Sequence, residues 1–363
     1  MKPFLQKIDF YIIRKFLGTF FLSITLILSI SIVFDVSEHM NDFIENDAPL
    51  KAIIFDFYLN WIPYFANLFI GLFTFISVIF FTSKMASNSE IIGILAGGVT
   101  YKRLMRPYLV SALLIACMSW ILGNFIIPHS NIKMLDFKNT YIKGKFYNTE
   151  TNIHKQVSPG VYMYMSRYNV NTDTGHRFSL EKIEDNRIVS KLISQYIRWD
   201  KKKDKWTIHD YYIRDFDKNG HETLTFGRKI DTTLTILPKE FKTRVNEAEK
   251  MNLFELNDYI KSQRLRGVSN MEEYEIMKHE RTSGPFSTFI LAIIGVSLAS
   301  RKTRGGIGLN IALGLLLSFS YIMFMQVTKV FAISGGTDPF IAVWIPNIVY
   351  SIIALVLYRW ASK

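Results

Sequence analysis

Six stretches without a charged side chain dominate the pattern of this chain: Phe16 to Phe34, Leu59 to Ser83, Pro107 to Ile132, Thr282 to Ser300, Gly305 to Thr328 and Pro339 to Tyr358. Each is near the roughly 20 residues that an α-helix needs to cross the hydrocarbon core of a bilayer. Three precede and three follow a polar segment, residues 133–281. The pattern predicts a polytopic α-helical membrane protein with six transmembrane helices, three plus three, around an inserted soluble domain.

Within the insert the period changes. From about Gly160 to Leu237 apolar and polar residues alternate, rich in β-branched and aromatic types, as in Val161 to Met165 and Ile188 to Trp199. The runs Trp199-Asp-Lys-Lys-Lys-Asp-Lys-Trp206 and Asp217-Lys-Asn-Gly220 have the composition of hairpin connections, so this part predicts an antiparallel β domain. After Pro238 a helical period takes over: Met251, Leu253, Leu256, Tyr259 and Ile260 share one face, Gly267 interrupts, and Met271 to Arg281 leads into the fourth span. The expected division is residues 1–132 for spans one to three, 133–245 for the β domain, 246–283 for connecting helices and 284–363 for spans four to six.

Charge then orients the spans, because Lys and Arg of short loops are retained on the cytoplasmic side. Lys2, Lys7, Arg14 and Lys15 precede span one; Lys84, Lys102, Arg103 and Arg106 lie between spans two and three; Arg301, Lys302 and Arg304 lie between four and five; Arg359 and Lys363 follow six. The alternate loops are acidic or nearly neutral, with Asp35, Glu38, Asp42, Glu45, Asp47 and Asp56 against Lys51 after span one. Both termini are therefore expected in the cytoplasm and the β domain outside. The first span also begins as a secretory signal does, but its apolar run is too long and no small-residue cleavage site follows. A net charge of +12 would suggest nucleic acid in a soluble chain; here topology and anionic lipid headgroups account for it. Cys117 is the only cysteine and lies within span three, so no disulfide framework supports the outer domain.

Signals for covalent chemistry are weak. The nearest approach to a phosphate-cradling loop is Gly93-Ile-Leu-Ala-Gly-Gly98, followed by Val99 rather than Lys-Ser/Thr. The seven histidines are scattered without zinc-ligand spacing. Ion-coupled carriers place ionisable groups near mid-membrane, whereas these spans have only Asp35, at an edge. Most informative is the connector between spans two and three, Ser87 to Thr100. Ser87 and Glu90 have capping-box spacing, Ile91, Ile94 and Leu95 share an apolar face, and Gly97-Gly98 can end a helix. A short amphipathic helix in the cytoplasm follows, and the pattern allows two uses: lying on the inner leaflet, or docking into a groove on a cytoplasmic partner.

Several segments together resemble the LptF/LptG permease family of the lipopolysaccharide exporter: Ile8-Asp-Phe-Tyr-Ile-Ile-Arg-Lys-Phe-Leu17, Ser89-Glu-Ile-Ile-Gly-Ile-Leu-Ala-Gly-Gly98, Met251-Asn-Leu-Phe-Glu-Leu256, the Tyr274 to Pro285 approach to span four, and Trp344-Ile-Pro-Asn347. Their order and spacing carry the resemblance, which covers the whole chain. Its compact length is closer to the LptG-like member than to the LptF-like sibling.

The resemblance implies a permease subunit, not an enzyme, in the inner membrane of a Gram-negative bacterium. Two such permeases would pair above an LptB-like ATPase dimer and pass lipopolysaccharide to a single-span, LptC-like bridge. ATP and magnesium would be used by the partner, with no cofactor held by this chain and no nucleic acid involved. The β domain would be a jellyroll, and spans one and five of the paired subunits would line the lipid cavity. Glu90 would carry over as the carboxylate of the coupling helix, with Ile91, Ile94, Leu95, Gly97, Gly98 and Arg103 shaping the contact. Lys133, Lys138, Lys278 and Arg281 stand at plausible depth for headgroup phosphates, or they simply snorkel towards the bilayer surface. The family often carries basic residues near the outer end of span one; this chain has Asp35, Glu38 and His39 there. A permease for another lipid or lipoprotein, and a membrane-anchored binding or scaffold protein, are the competing functions.

Overall fold

In a computed structural model of the chain the first apolar stretch lies inside one helix of 39 residues, α1 (Lys7–Glu45). The structure describes residues 6–142, 151–169, 172–185, 187–201, 203–217, 221–234, 236–241, 248–265, 271–301 and 306–362. Lys2, Gly267, Lys302, Arg304, Gly305 and Lys363 lie outside them, as do Lys218, Asn219 and Gly220. The chain divides into two compact units, residues 1–142 with 250–253 and 272–363, and residues 143–249 with 254–271.

Among the described residues the helical unit contains six helices long and apolar enough to cross a membrane. After α1 the chain passes through a π-helical segment, Ile53–Tyr58, into α2 (Leu59–Leu68), α3 (Ile70–Ser87) and a short α4 (Glu90–Ala96). Then come α5 (Tyr101–Ile121) and α6 (Ile127–Phe137), joined by the π-helical Leu122–Ile126. The sequence pattern reads 59–83 as one span; instead, Phe69 at φ −103°, ψ 9° breaks it between α2 and α3. Past the insert the chain forms α7 (Leu253–Leu265), α8 (Met271–Ala299), α9 (Gly306–Ile333) and α10 (Pro339–Ala361).

Small residues and aromatic stacks set how closely these helices approach. On α1, Ile12, Phe16, Phe20 and Ile24 recur every four residues and are buried, as one face of a helix requires. Phe81 sits between Phe16 and Tyr108, with ring centroids 5.8 Å and 5.4 Å away. α3 is the most enclosed of the early helices. A Cβ added at Gly295 of α8 would lie 2.9 Å from Val78 Cγ1 of α3, and one at Gly71 of α3 would lie 3.0 Å from Ser287 Oγ of α8. Because lipid tails are as apolar as leucine, helices in a bilayer associate through close packing and interhelical hydrogen bonds. Asn310 Nδ2 accordingly donates to Ser83 Oγ at 3.0 Å, Asn347 Nδ2 to the Ser283 carbonyl at 3.0 Å, and Tyr321 OH to Asn347 Oδ1 at 2.9 Å.

The second unit carries a six-stranded antiparallel sheet in sequential order: β1 (Thr151–Ser158), β2 (Val161–Asn169), β3 (Thr174–Glu184), β4 (Arg187–Asp200), β5 (Lys205–Phe216) and β6 (Glu222–Thr232). The inserted β domain is present, and its described strands form an up-and-down meander; the crossed connections of a jellyroll are not among them. Trp199 pairs with Trp206 across the hairpin expected there. Trp206, Met163, Met165, Phe178 and Ile208 form a core with Leu234, Ile236 and Phe241 from the segment after β6. Trp206 Nε1 donates to the Ile236 carbonyl at 2.7 Å, which satisfies the one polar group in that core side chain.

A kink crosses the middle of the sheet. Strand alternation places core residues an even number apart, yet Gly175 and Phe178 on β3, and Ile208 and Tyr211 on β5, all face the core. The switch of parity falls at Arg177 and Asp210, both with φ of 49°. Such left-handed residues re-aim a strand at a bulge.

Candidate coupling site

The connector between α3 and α5 carries the sharpest expectation. α3 ends at Ser87, Ser89 takes the left-handed conformation (φ 59°, ψ 14°), and α4 starts at Glu90. The capping box is therefore not formed. Its geometry needs the carboxylate three residues into the helix, whereas Glu90 is the first helical residue and Ser87 belongs to the preceding helix. The Glu90 carboxylate is held differently: Oε2 accepts from Tyr11 OH at 3.0 Å and Oε1 accepts from Asn88 Nδ2 at 3.2 Å. Gly97 caps the end of α4, and Gly98 at φ +85° makes the turn, a conformation glycine adopts without a Cβ penalty. Thr100 Oγ1 then accepts from the Arg103 backbone N–H at 3.3 Å and opens α5.

The three apolar residues of α4 do not share one outward face. Ile91 is 1 % exposed in the core that includes Ile12, Met85, Tyr101 and Leu104; Ile94 is partly buried against it; Leu95 lies outward. Ile92, 53 % exposed, is the apolar side chain offered most fully. Ile91 thus anchors α4 to its own bundle, and the surface open to a partner consists of Ile92, Gly93, Leu95, Ala96, Gly97 and Gly98. The pattern misses Ile92 because in a seven-residue helix either side of the apolar run can turn inward.

Arg103 does not reach out from the connector. Its Nη1 and Nη2 donate to Asp9 Oδ1 and Oδ2 at 2.6 Å and 2.5 Å, a fork-to-fork pair of the kind guanidinium and carboxylate favour. Asp9 is 1 % exposed and also accepts from the Gln6 backbone N–H at 2.6 Å. Sequence reasoning passes over Asp9, although a lone carboxylate among Lys7, Arg14 and Lys15 is itself a signal that it has a partner. Between the start of α1 and α4 lies a shallow groove of about 520 Å³ lined by Ile8, Tyr11, Glu90, Gly93, Ile94, Gly97 and Val99.

Of the four basic residues considered for headgroups, Lys133 is exposed on α6 and Lys138 is half-buried with Nζ 5.6 Å from the Phe57 ring centroid. Lys278 and Arg281 lie on α8. Arg281 Nη1 is committed to the Met251 carbonyl at 2.7 Å. Asp35 accepts from Tyr58 OH at 2.9 Å and stands 3.5 Å from His39 Nδ1.

Two spans are conspicuously bare. In their most apolar windows only 17 % of α1 and 22 % of α9 is buried, against 67 % for both α3 and α8. Exposed stripes run along them, Leu22, Leu26, Ile30 and Val33 on α1 and Leu309, Leu313, Leu316 and Met323 on α9.

Six apolar spans, an inserted antiparallel β domain and a short helical elbow between the second and third spans place the chain among polytopic membrane proteins with an extramembrane β module. It belongs to the LptF/LptG family, described as lipopolysaccharide export system permease LptF/LptG, whose family model matches residues 10–360. No individually curated protein matches the chain. The protein is accordingly a permease component of a lipopolysaccharide export complex, a multi-pass protein of the inner membrane and a transporter subunit rather than a catalytic enzyme.

Proposed function

We propose that this chain is one of two paired permeases that extract lipopolysaccharide from the inner membrane and pass it to a periplasmic bridge, with a separate ABC ATPase dimer supplying the work. The observation that carries the proposal is the exposed elbow α4, whose Glu90 is held at the surface by Tyr11 and Asn88. A carboxylate has about four acceptor sites, so these bonds leave Glu90 able to receive a cation from the ATPase. Ile92 and Leu95 provide the apolar part of the contact, and Gly93 and Gly97 allow close approach.

The bare faces of α1 and α9, which are spans one and five, fit the wall of a lipid cavity shared with the sibling permease. Uncharged walls of Leu, Ile and Val suit acyl chains, and burying them away from water drives the lipid to stay enclosed. Both termini and the α3–α5 connector lie in the cytoplasm on the strength of the Lys and Arg distribution, which puts the β domain in the periplasm. Lys133 and Lys138, the latter beside the Phe57 ring, are the first basic candidates for the phosphates; Arg281 is a weaker one, being tied to Met251.

Glu90→Lys tests the coupling role in the complex reconstituted with its ATPase in lipopolysaccharide-containing vesicles. A lost charge-assisted contact of about 1.5–3 kcal/mol corresponds to roughly ten- to hundredfold weaker association, so ATPase recovery and lipid release should fall together while the chain still folds. Wild-type recovery and release by a well-expressed variant would overturn the role of Glu90. A wild-type chain that recruits no ATPase at all would favour the scaffold function.

A further inference from the structure

The elbow is joined to its own neighbours in the chain through short bends. It is seven residues long, entered through the left-handed Ser89 and left through Gly97 and Gly98. A push delivered to α4 alone would be spent in changing those bends unless another contact carried it onward. Two polar contacts do so, and both end on the first turns of α1: Tyr11 OH donates to Glu90 on α4, and Asp9 receives both Nη groups of Arg103 on α5. They bracket the elbow from its start to the helix that follows it. The groove of about 520 Å³ between α1 and α4 means the two helices are not filled against each other along that edge, so beside the apolar anchor of Ile91 in the core with Ile12, specific polar bonds fix their separation and angle there.

Resting on the export reading above, we infer that Asp9, Tyr11 and Arg103 form a latch that makes the base of the first span move with the coupling elbow. Asp9 and Arg103 are positioning residues: they touch neither the ATPase nor the lipid, and they decide whether motion at α4 reaches α1. The pair suits the task because it is bidentate and nearly enclosed, with the Asp9 side chain 1 % exposed and the Arg103 side chain 20 % exposed. A guanidinium–carboxylate fork fixes angle as well as distance, which a single-point lysine contact would not. α1 is also the span with most to gain from such a tie, since only 17 % of its apolar window is held by the rest of the chain. The latch therefore drives the span whose Leu22, Leu26, Ile30 and Val33 stripe faces the proposed cavity.

The test uses the full complex of this chain with its sibling and ATPase in lipopolysaccharide vesicles. It compares wild type, Asp9→Asn, Tyr11→Phe and the charge-swapped pair Asp9→Arg with Arg103→Asp. Asp9→Asn is expected to keep ATPase recovery and ATP hydrolysis near wild type while lipid release per ATP falls about tenfold, within the range of couplings between distinct sites. Tyr11→Phe should lower release per ATP by a smaller factor, and the swapped pair should restore at least half of it. A merely structural pair would instead lower recovery, hydrolysis and release in proportion, and that result overturns the latch, as does normal release by Asp9→Asn or failure of the swap in a well-folded complex. If wild type itself recruits no ATPase, the export reading falls with it; if wild type transports and Asp9→Asn does too, only the latch falls.

Discussion

The β domain hides its largest side chains in a core of its own, whereas the helical unit hides polar side chains between helices and leaves apolar ones outside. Trp206, Phe178 and Met165 are fully buried in the sheet domain. In the helical unit, Thr74, Ser77, Thr82, Ser297 and Thr288 are nearly inaccessible, while Leu22, Phe34, Leu316 and Leu355 are more than half exposed. The contrast reflects two solvents. Water rewards removal of apolar surface; lipid does not, so the helices rely on small residues, stacked rings and hydrogen bonds such as Asn310 to Ser83.

The strongest way to probe that contrast is Trp206→Ala. Its side chain is fully enclosed and hydrogen-bonded, and truncating a buried Trp costs about 3–5 kcal/mol. Protease susceptibility of the β domain in the intact chain should rise sharply while the spans stay protected; equal resistance would mean the sheet does not depend on this core.

Gly295→Val should act on the other unit and less strongly. A side chain there must displace Val78 and Phe75, and overpacking costs about 1–3 kcal/mol. Thermal unfolding in detergent should shift downward with the β domain intact, and an unchanged midpoint would mean that α3 and α8 approach less closely than argued.

Acid should give the smallest and most selective effect, in the β domain. Burial holds His176 and His209 below the ordinary histidine value, reinforced by Arg167 and Arg198 for the first and by Lys229 and Arg198 for the second. Each favours the neutral form when folded, so its contribution is present above the unfolded value of about 6.5 and is lost as pH falls through the lower folded value. Hydrogen bonds from Arg214 to Glu222, and from Lys203 and Thr207 to Asp231, hold those carboxyls below their usual range. Their contribution is present above the unfolded carboxyl values and disappears at still lower pH. Melting of the domain followed from about pH 7.5 down to about 2 should therefore weaken in two stages; a flat profile would contradict both assignments.

What the sequence made legible follows from how local each signal is. The spans announce themselves because bilayer thickness demands a long uncharged run, and all six appear as helices. The hairpin at Trp199 and Trp206 was readable from turn composition between alternating strands. β1 was not, since Thr151 to Ser158 carries His154, Lys155 and Gln156 in place of a clear apolar alternation; its place is set by pairing with β2. The break at Phe69 lies within an unbroken apolar run that gives no hint of it. At the elbow, Glu90 and the glycines stood out from the sequence, but the bond to Tyr11 lies 79 positions away and the Asp9–Arg103 pair 94 positions apart. Partners so remote leave no periodicity to read.

Ser89 gives the elbow a further property. Left-handed backbone costs a residue with a Cβ about 1–2 kcal/mol, and here that cost falls on the second of the two residues between the helices, with Ser89 lacking a side-chain cap bond. The joint behaves as a sprung detent: its angle is a strained setting kept by the packing of Ile91 on one side and by Tyr11 on the other. Straightening it would return the stored energy, so the bend at the entry to α4 is a preloaded setting rather than a relaxed hinge.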